Sequence, residues 1–471
     1  MARIEKKSIE EGADPRLYMD RAALAIFQHI QHLSLDTGRI ALLIGRGNNG
    51  GDAYEVGRHL CDAGAEVIAF AQEGSLSELC QEKKEAFPGT IIPLTDLNLS
   101  GFDLIVDGLL GTGFQGEVKP PLDRAIEVAN NSHIPIIAID IPSGLNGDTG
   151  IGQNSLKAQE TITLGAAKIG CFIEDGFEKV GKITVVDFGL DPKYYEDAEL
   201  AAHLLDVSDL TLPPLKRTQH KYEAGYVLAV AGSPNMPGAA ILSTLAALRS
   251  GAGIVRLFHV EGMDEALAAA PLELVRSHDL SQLVSEAKRA SSLLIGPGLG
   301  RDEEAKGRFD AAFQTTQLPV VIDADGLFHL AERKFQATTP TILTPHKQEM
   351  LRLLGAETLD LNQCQAYADQ TGATVILKGA PTWIFHPKTR PTISPYGDPG
   401  MATAGTGDVL TGIVAACLAK GLNALDAAKL AVSLHAIAGE RAAETLTSEA
   451  LIASDLIDFL PEAIDKIHKN R

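Results

Sequence analysis

The sequence predicts an α/β protein made of two doubly wound domains, and three observations carry that expectation. At 471 residues the chain is too long for one ordinary core and long enough for two. Hydrophobic residues make up 45% and aromatics only 5%, with 45 glycines, which suits small-residue helices lying on Val/Ile/Leu strands rather than an aromatic β-sandwich. Apolar runs of strand length alternate with helical segments along both halves, and most of these runs end in a polar or glycine-rich turn.

In the first half, Leu17, Ala22, Ala23, Ile26, Phe27, Ile30 and Leu33 recur at helical spacing. RIALLIG (39–45) then reads as a buried strand leading into GRGNNGGD, a glycine-rich turn that opens a helix near Asp52. Further strands are expected at 65–71, 103–107, 134–140, 161–165 and 182–188, with helices around 75–86 and 120–131. In a doubly wound sheet ligands bind outside the carboxyl ends of the strands, and Asn48, Asn49, Asp52, Asp107, Asp140 and Ser143 all fall at such ends. The glycines Gly45, Gly47 and Gly50 are by themselves a weak dinucleotide signal; GNNGGD is more specific because its two amides add side-chain oxygens. Taken singly, Asp107 and Asp140 read equally as residues that cap a turn.

Composition shifts between Leu190 and Tyr222, where the charged DPKYYEDAE precedes Pro213, Pro214 and a basic run, placing a boundary near residue 213. Beyond it, strands are expected at 226–231, 254–259, 292–300, 318–327, 340–350 and 373–385, and helices at 426–444 and 453–467. The stretch PGMATAGTGDVLTGIVAACLAKG concentrates the chemistry of this half. Ala404, Gly405, Thr406 and Gly407 keep little side chain in a ligand's way, and the apolar helix from Val409 to Leu418 offers unpaired N–H groups to an anion. Asp408 is then either a helix N-cap or a general base for a hydroxyl attacking phosphorus. His346 and Lys378 have plain alternatives too, as a loop histidine satisfied by the backbone and a solvated strand-end cation.

The net charge of −20 argues against nucleic acid or an anionic membrane as the main partner. Five scattered cysteines without CxxC spacing indicate neither a disulfide framework nor a zinc site. The N-terminal stretch has no apolar core of the secretory type, and no run of about 18 apolar residues occurs. A cytoplasmic protein is expected, its oligomeric state open to a homo-oligomer.

GMATAGTGDVLTGIVAACLAKGL is similar to the signature of the ADP/ATP-dependent NAD(P)H-hydrate dehydratases, a branch of the ribokinase-like superfamily. AGSPNMPGAA, IGPGLG, TPHKQE, KGAPT and GTGD extend that resemblance in order. GRGNNGGD, DGLLGTGFQGE and DIPSGLNGDTG resemble the NAD(P)H-hydrate epimerases, and the two resemblances together cover nearly the full chain. They imply a Rossmann-like epimerase domain over 1–212 and a ribokinase-like dehydratase domain over 213–471, a fusion that repairs hydrated NADH and NADPH.

In the epimerase half the resemblance implies that Asn48, Asn49, Gly50, Gly51 and Asp52, with Gly111, Thr112, Gly113, Phe114, Gln115, Gly116 and Glu117, hold the hydrated dinucleotide. It further implies that Asn49, Asp107 and Ser143 ligate potassium and that Asp140 is the acid/base group. In the dehydratase half it implies that Ala240, Gly300, His346 and Asp408 meet the substrate. Lys378, Gly379, Ala380, Pro381, Thr382 and Gly407 would hold ADP or ATP with magnesium, and Asp408 would act as base. The chain departs from the epimerase pattern at Ala53, where the family continues with glycine; Asp52 as N-cap would make Ala53 the first helical residue. The rival reading is a ribokinase-like small-molecule kinase carrying a non-catalytic binding module.

Overall fold

The structure, a computed structural model, describes residues 1–33, 38–196, 198–315 and 317–469. Asp197, inside the charged segment read as a linker, lies outside them. The chain divides into two compact units, Met1–Ala201 and Ala202–Arg471.

Among its described residues the first unit has seven parallel strands: β1 Arg39–Ile44, β2 Glu66–Ala71, β3 Thr90–Pro93, β4 Leu104–Gly108, β5 Ile136–Ile139, β6 Glu160–Leu164 and β7 Lys182–Val186. Their order is β3-β2-β1-β4-β5-β6-β7. Ile40, Leu42 and Ile44 of β1 join Ala53, Val56 and Leu60 in one core, while Ala41 and Leu43 face Leu122, Ala125 and Ile126 in another, so β1 is buried on both faces. The chain runs outward from β1 through β2 to β3 and then returns to β4 on the other side. This reversal opens a crevice between the carboxyl ends of β1 and β4.

Three local features differ from expectation. The helix after β1 spans Asn48–Asp62 with Gly47 as its N-cap, so Asp52 is not a cap and Ala53 is well inside the helix. A helix at Ala2–Glu10 and the strand β3 were not expected. β3 is a four-residue edge strand, largely exposed and ending in proline, too short to show periodicity.

Among its described residues the second unit has ten strands: β8 His203–Leu204, β9 Tyr226–Val230, β10 Ile254–Phe258, β11 Val275–Ser277, β12 Ser292–Ile295, β13 Val320–Ile322, β14 Thr341–Leu343, β15 Thr374–Leu377, β16 Thr382–Phe385 and β17 Thr392–Ser394. Their order is β11-β10-β9-β12-β13-β14-β15-β16-β17-β8, parallel except where β16 pairs with β15 and β17. The single strand expected over 373–385 is therefore a hairpin that turns at Lys378–Pro381. The division between units also falls before residue 213. β8 pairs with β17, and Leu205, Val207, Leu210 and Leu212 join the second unit's core.

The helices Pro237–Arg249 and Thr406–Ala419 lie close against one another beside this sheet. Gly412 permits the approach, since a Cβ there would stand 2.0 Å from Ser243 O.

Candidate functional sites

In the first unit the crevice gathers residues from the ends of three strands. Gly45 lets β1 turn tightly into the helix, because a Cβ on it would meet Leu109 O at 1.7 Å. Asn49, in the first turn of that helix, donates from Nδ2 to Leu110 O at 2.9 Å. Asp107, at the end of β4, is fully buried; it accepts from Ser143 Oγ at 2.6 Å, Ser143 N at 2.8 Å and Leu109 N at 3.1 Å. Ser143 Oγ in turn accepts from Leu110 N at 2.8 Å. Asn49 and Ser143 thus meet at one backbone carbonyl, Leu110 O, which Ser143 Oγ reaches at 3.3 Å, and Asp107 joins them through Ser143. Burial pushes the Asp107 carboxyl up to about 6, against the hydrogen bonds from Ser143 and Leu109, which hold it down. Among the described residues no three His, Cys, Asp or Glu side chains gather as metal ligands. The side chains here, an amide, a carboxylate and a hydroxyl, carry hard oxygens.

Beside this cluster is a pocket of about 630 Å³, counting space open to solvent, whose lining includes Glu5, Asn48, Asp52, Thr112, Asp140 and Lys168. Asp140 follows β5 with φ of 67° and receives Leu164 N at 3.1 Å, while Lys168 Nζ donates to its Oδ1. Burial, and then the charges of Asp140 and Glu5, push the Asp52 carboxyl well above the ordinary range, with Lys83 opposing. Of the Gly111–Glu117 loop only Thr112 lines the pocket, and Gly113, Gln115, Gly116 and Glu117 are exposed. Gly50 and Gly51 serve packing: a Cβ on Gly50 would meet Gly45 O at 2.3 Å, and one on Gly51 would crowd Met19 and Cys80. Ala53 faces the strands, fully buried, with its methyl 2.5 Å from where a Cβ on Gly108 would stand.

In the second unit the site forms where the loops after β9, β12, β13, β14 and β15 meet the start of the Thr406–Ala419 helix. Gly405 is its N-cap at φ 95°, a left-handed conformation in which a Cβ would also strike Leu242 at 2.6 Å. Thr406, Gly407 and Asp408 make up the first turn, whose N–H groups lack intrahelical partners. Asp408 makes no capping bond. Burial, then the Asp323 charge, push its carboxyl up to about 7, with Lys378 opposing and Asp325 and Glu349 adding. His435 Nε2 lies 2.9 Å from Thr406 O behind the turn, and burial pushes that ring down to about 4.

Lys378 follows β15; its Nζ donates to Asp323 Oδ1 at 2.7 Å and lies 3.8 Å from Glu349 Oε2. A Cβ on Gly407 would stand 3.2 Å from that ammonium, so the absence of a side chain leaves Lys378 room at the helix mouth. Gly379 and Ala380 are exposed on the hairpin turn, Pro381 is buried in it, and Thr382 Oγ1 closes it by donating to Gly379 O at 3.0 Å. His346 caps the Lys347–Leu354 helix: its Nδ1 accepts from Gln348 N at 3.0 Å, while its N donates to Glu349 Oε2 at 2.8 Å. Gly300, at φ 94°, is fixed from two sides, by Asp325 Oδ2 on its N–H at 3.0 Å and by His329 Nε2 at 2.9 Å from its carbonyl. Ala240 is fully buried, its methyl packed beneath Gly232 rather than open to the mouth.

Sequence reasoning passed over Asp323, Asp325, Glu349, Thr411 and Lys168. The rule that polar residues at strand ends mark a site applies to Asp323 and Asp325 in VVIDADGL as well as it does to Asp107. Lys168 and Thr411 carry no such signal, because they act through Asp140 and Asp323, 28 and 88 residues away, and Glu349 reads locally only as the partner of the His346 cap.

Each unit thus presents polar side chains at the carboxyl ends of parallel strands, which defines a two-site α/β enzyme whose second site is of ribokinase-like build. A family model described as NAD(P)H-hydrate dehydratase matches residues 227–462, and one for the N-terminus of YjeF-related proteins matches residues 17–170. A bifunctional NAD(P)H-hydrate repair enzyme of Moorella thermoacetica is 34% identical, over 100% of this chain and 96% of its own. One of Escherichia coli K12 is 33% identical over 96% of this chain and 90% of its own. Among solved structures, a ribokinase-like superfamily protein of Enterococcus faecalis superposes with a TM-score of 0.53 at 28% identity, covering 56% of this chain and 96% of that one. The chain belongs to the family of bifunctional NAD(P)H-hydrate repair enzymes, and is an isomerase and a lyase in one polypeptide. Among the described residues no helix is long and apolar enough to cross a membrane.

Proposed function

We propose that the first unit interconverts the R and S forms of hydrated NADH and NADPH, and that the second dehydrates the S form at the expense of ADP or ATP. The observation that carries the second assignment is Asp408, a largely buried carboxylate in the first turn of an anion-binding helix start, with Lys378 at the same mouth.

Hydroxide is a poor leaving group, so the hydrated ring needs its hydroxyl converted to a phosphate. Thr406 and Gly407 N–H groups and the Lys378 ammonium hold the terminal phosphate of the nucleotide. Asp408 takes the hydroxyl proton as that oxygen attacks phosphorus, and the nucleotide leaves one phosphate shorter. Inorganic phosphate then departs, pushed by the ring-nitrogen lone pair, and loss of a proton from the neighbouring carbon restores the double bond. Magnesium suits this site as an ion brought in by the nucleotide phosphates, where it offsets their charge.

In the first unit Asp140 handles the proton of the hydroxyl at the hydrated carbon. Asn49, Asp107 and Ser143 fit potassium: their side chains carry oxygens, Asn49 and Ser143 share the Leu110 carbonyl, Ser143 is bonded to Asp107, and the buried Asp107 carboxylate has only hydrogen-bond donors against it. A monovalent cation there would supply the missing counter-charge beside the dinucleotide. A reducing compartment such as the cytoplasm agrees with the five cysteines, all free.

The experiment is to incubate the protein with a mixture of hydrated NADH epimers and either ADP or ATP, following recovery of the dihydronicotinamide absorbance. Full recovery needs both activities, and recovery that stops at the share of one epimer removes the first. Accumulation of a stable phosphorylated hydrate would favour the kinase reading instead.

A further inference from the structure

Asp323 follows β13 directly and is 1% exposed. Its two oxygens hold side chains from two other elements. Oδ1 accepts from Lys378 Nζ at 2.7 Å, and Oδ2 accepts from Thr411 Oγ1 at 2.6 Å, one turn beyond Gly407, whose carbonyl the same hydroxyl meets at 2.9 Å. The partners lie 55 and 88 residues away in sequence. A buried carboxylate is costly unless it is paired and hydrogen-bonded, and here both oxygens are engaged by groups that frame one helix start. Lys378 needs such a holder: the positive end of a helix dipole repels an ammonium, and its other carboxylate, Glu349, stands farther off at 3.8 Å.

We propose that Asp323 is a positioning residue of the dehydratase, fixing the phosphate-binding ammonium of Lys378 over the first turn of the Thr406–Ala419 helix and, through Thr411, tying that helix to the end of β13. This rests on the reading of the second unit as a phosphoryl-transfer site with Asp408 as base. Asp323 acts on Asp408 by charge as well. The charged groups that bear on Asp408 are Asp323 after β13, Lys378 after β15, Asp325 at the start of the next helix and Glu349 on the helix after β14; buried His435 stays neutral. Of these Asp323 is the largest after burial itself, so its removal frees Asp408 to ionise at lower pH.

The test uses the full chain with Asp323→Asn, Lys378→Met, their combination and Thr411→Val. It reads ADP affinity by calorimetry without hydrate, and the pH profile of kcat/KM for dehydration. Asp323→Asn is expected to weaken ADP binding by about tenfold, the scale of one hydrogen bond to a charged group, and to move the acid limb of the profile down by at least about half a pH unit. In the Lys378→Met background Asp323→Asn should add nothing to the loss of ADP affinity, because its effect runs through the lysine. An acid limb and an ADP affinity that both stay at wild type, whatever the melting temperature does, would leave Asp323 a structural residue and overturn the proposal. So would losses that add in the double variant. If Asp323→Asn does not fold, Thr411→Val takes its place: rescue of ADP affinity by Thr411→Ser supports the clamp, and wild-type affinity in Thr411→Val overturns it. Asp408→Asn is assayed alongside. Retained turnover there would sink the base assignment, while the ADP measurements would still judge the hold of Asp323 on Lys378.

Discussion

Lys168 Nζ donates to Asp140 Oδ1 and also reaches Thr163 Oγ1 at 3.0 Å and Leu164 O at 3.4 Å, so all three of its protons have acceptors. The lysine has no proton left over, and it holds the carboxylate it faces through Oδ1, the same oxygen that accepts from Leu164 N. Lys168→Met leaves Asp140 with Leu164 N as its remaining donor. Epimerisation should fall about tenfold or more, and the first unit should lose about 3 kcal/mol, the scale for breaking a buried pair from one side. Dehydration of the preferred epimer should be unchanged. Equal epimerase rates in the variant and the wild type would show that the pair does not orient Asp140.

Asp408→Asn should lower dehydration by at least about 100-fold, the lower range for a positioned base, with ADP affinity largely kept because the N–H groups remain. Wild-type kcat/KM should fall below about pH 7 as Asp408 takes up its proton. Stability moves the other way. The folded chain holds that proton more tightly than the unfolded chain, so the contribution is complete below the ordinary value of 3.8 and is lost as pH rises through about 7. Asparagine copies the neutral acid; the variant should therefore melt higher than wild type at pH 8 and level with it near pH 4. A variant less stable than wild type at pH 8 would contradict the burial cost assigned to Asp408.

Asp107→Ala should abolish any dependence of epimerisation on potassium and reduce its rate, while dehydration of the preferred epimer is untouched. The check is a potassium chloride titration at constant ionic strength, with both activities followed. A wild-type protein indifferent to potassium would remove Asn49, Asp107 and Ser143 as cation ligands.

Ala53 and Gly108 should behave as a coupled pair. Ala53→Gly should cost about 1 kcal/mol from helix propensity and leave epimerase turnover within about threefold, since its methyl faces β4 and not the pocket. Gly108→Ala should be far worse, because the new Cβ meets Ala53 Cβ at 2.5 Å and Asn49 O at 2.8 Å, displacing an expected cation ligand. Combining the two should recover part of the stability, as the first clash disappears and the second remains. Strict additivity in thermal melts would rule out the contact.

The sequence by itself determined the class of the fold, since Val/Ile/Leu runs alternating with small-residue helices bury both faces of a parallel sheet only in an α/β layering. It also marked Asn49, Asp107, Asp140 and Ser143 as strand-end residues, because a strand followed by a turn is a local pattern, and Asp408 as part of a glycine-rich helix start. Short edge strands such as β3, β8 and β11 were illegible: two to four residues carry no periodicity, and pairing alone makes them strands. The helix start at Asn48 was misread for a related reason. Asp52 has the chemistry of a cap, but the tight turn at Gly45 brings the chain into helix earlier, with Gly47 as cap, and buries Asp52 within it. Only the tertiary structure decided that Lys168 meets Asp140, that Asp323 grips both Lys378 and Thr411, and that the Ala53 methyl lies against Gly108. Each of these contacts joins residues dozens of positions apart, and their approach is set by how helices and strands pack, a constraint that no local stretch of sequence carries.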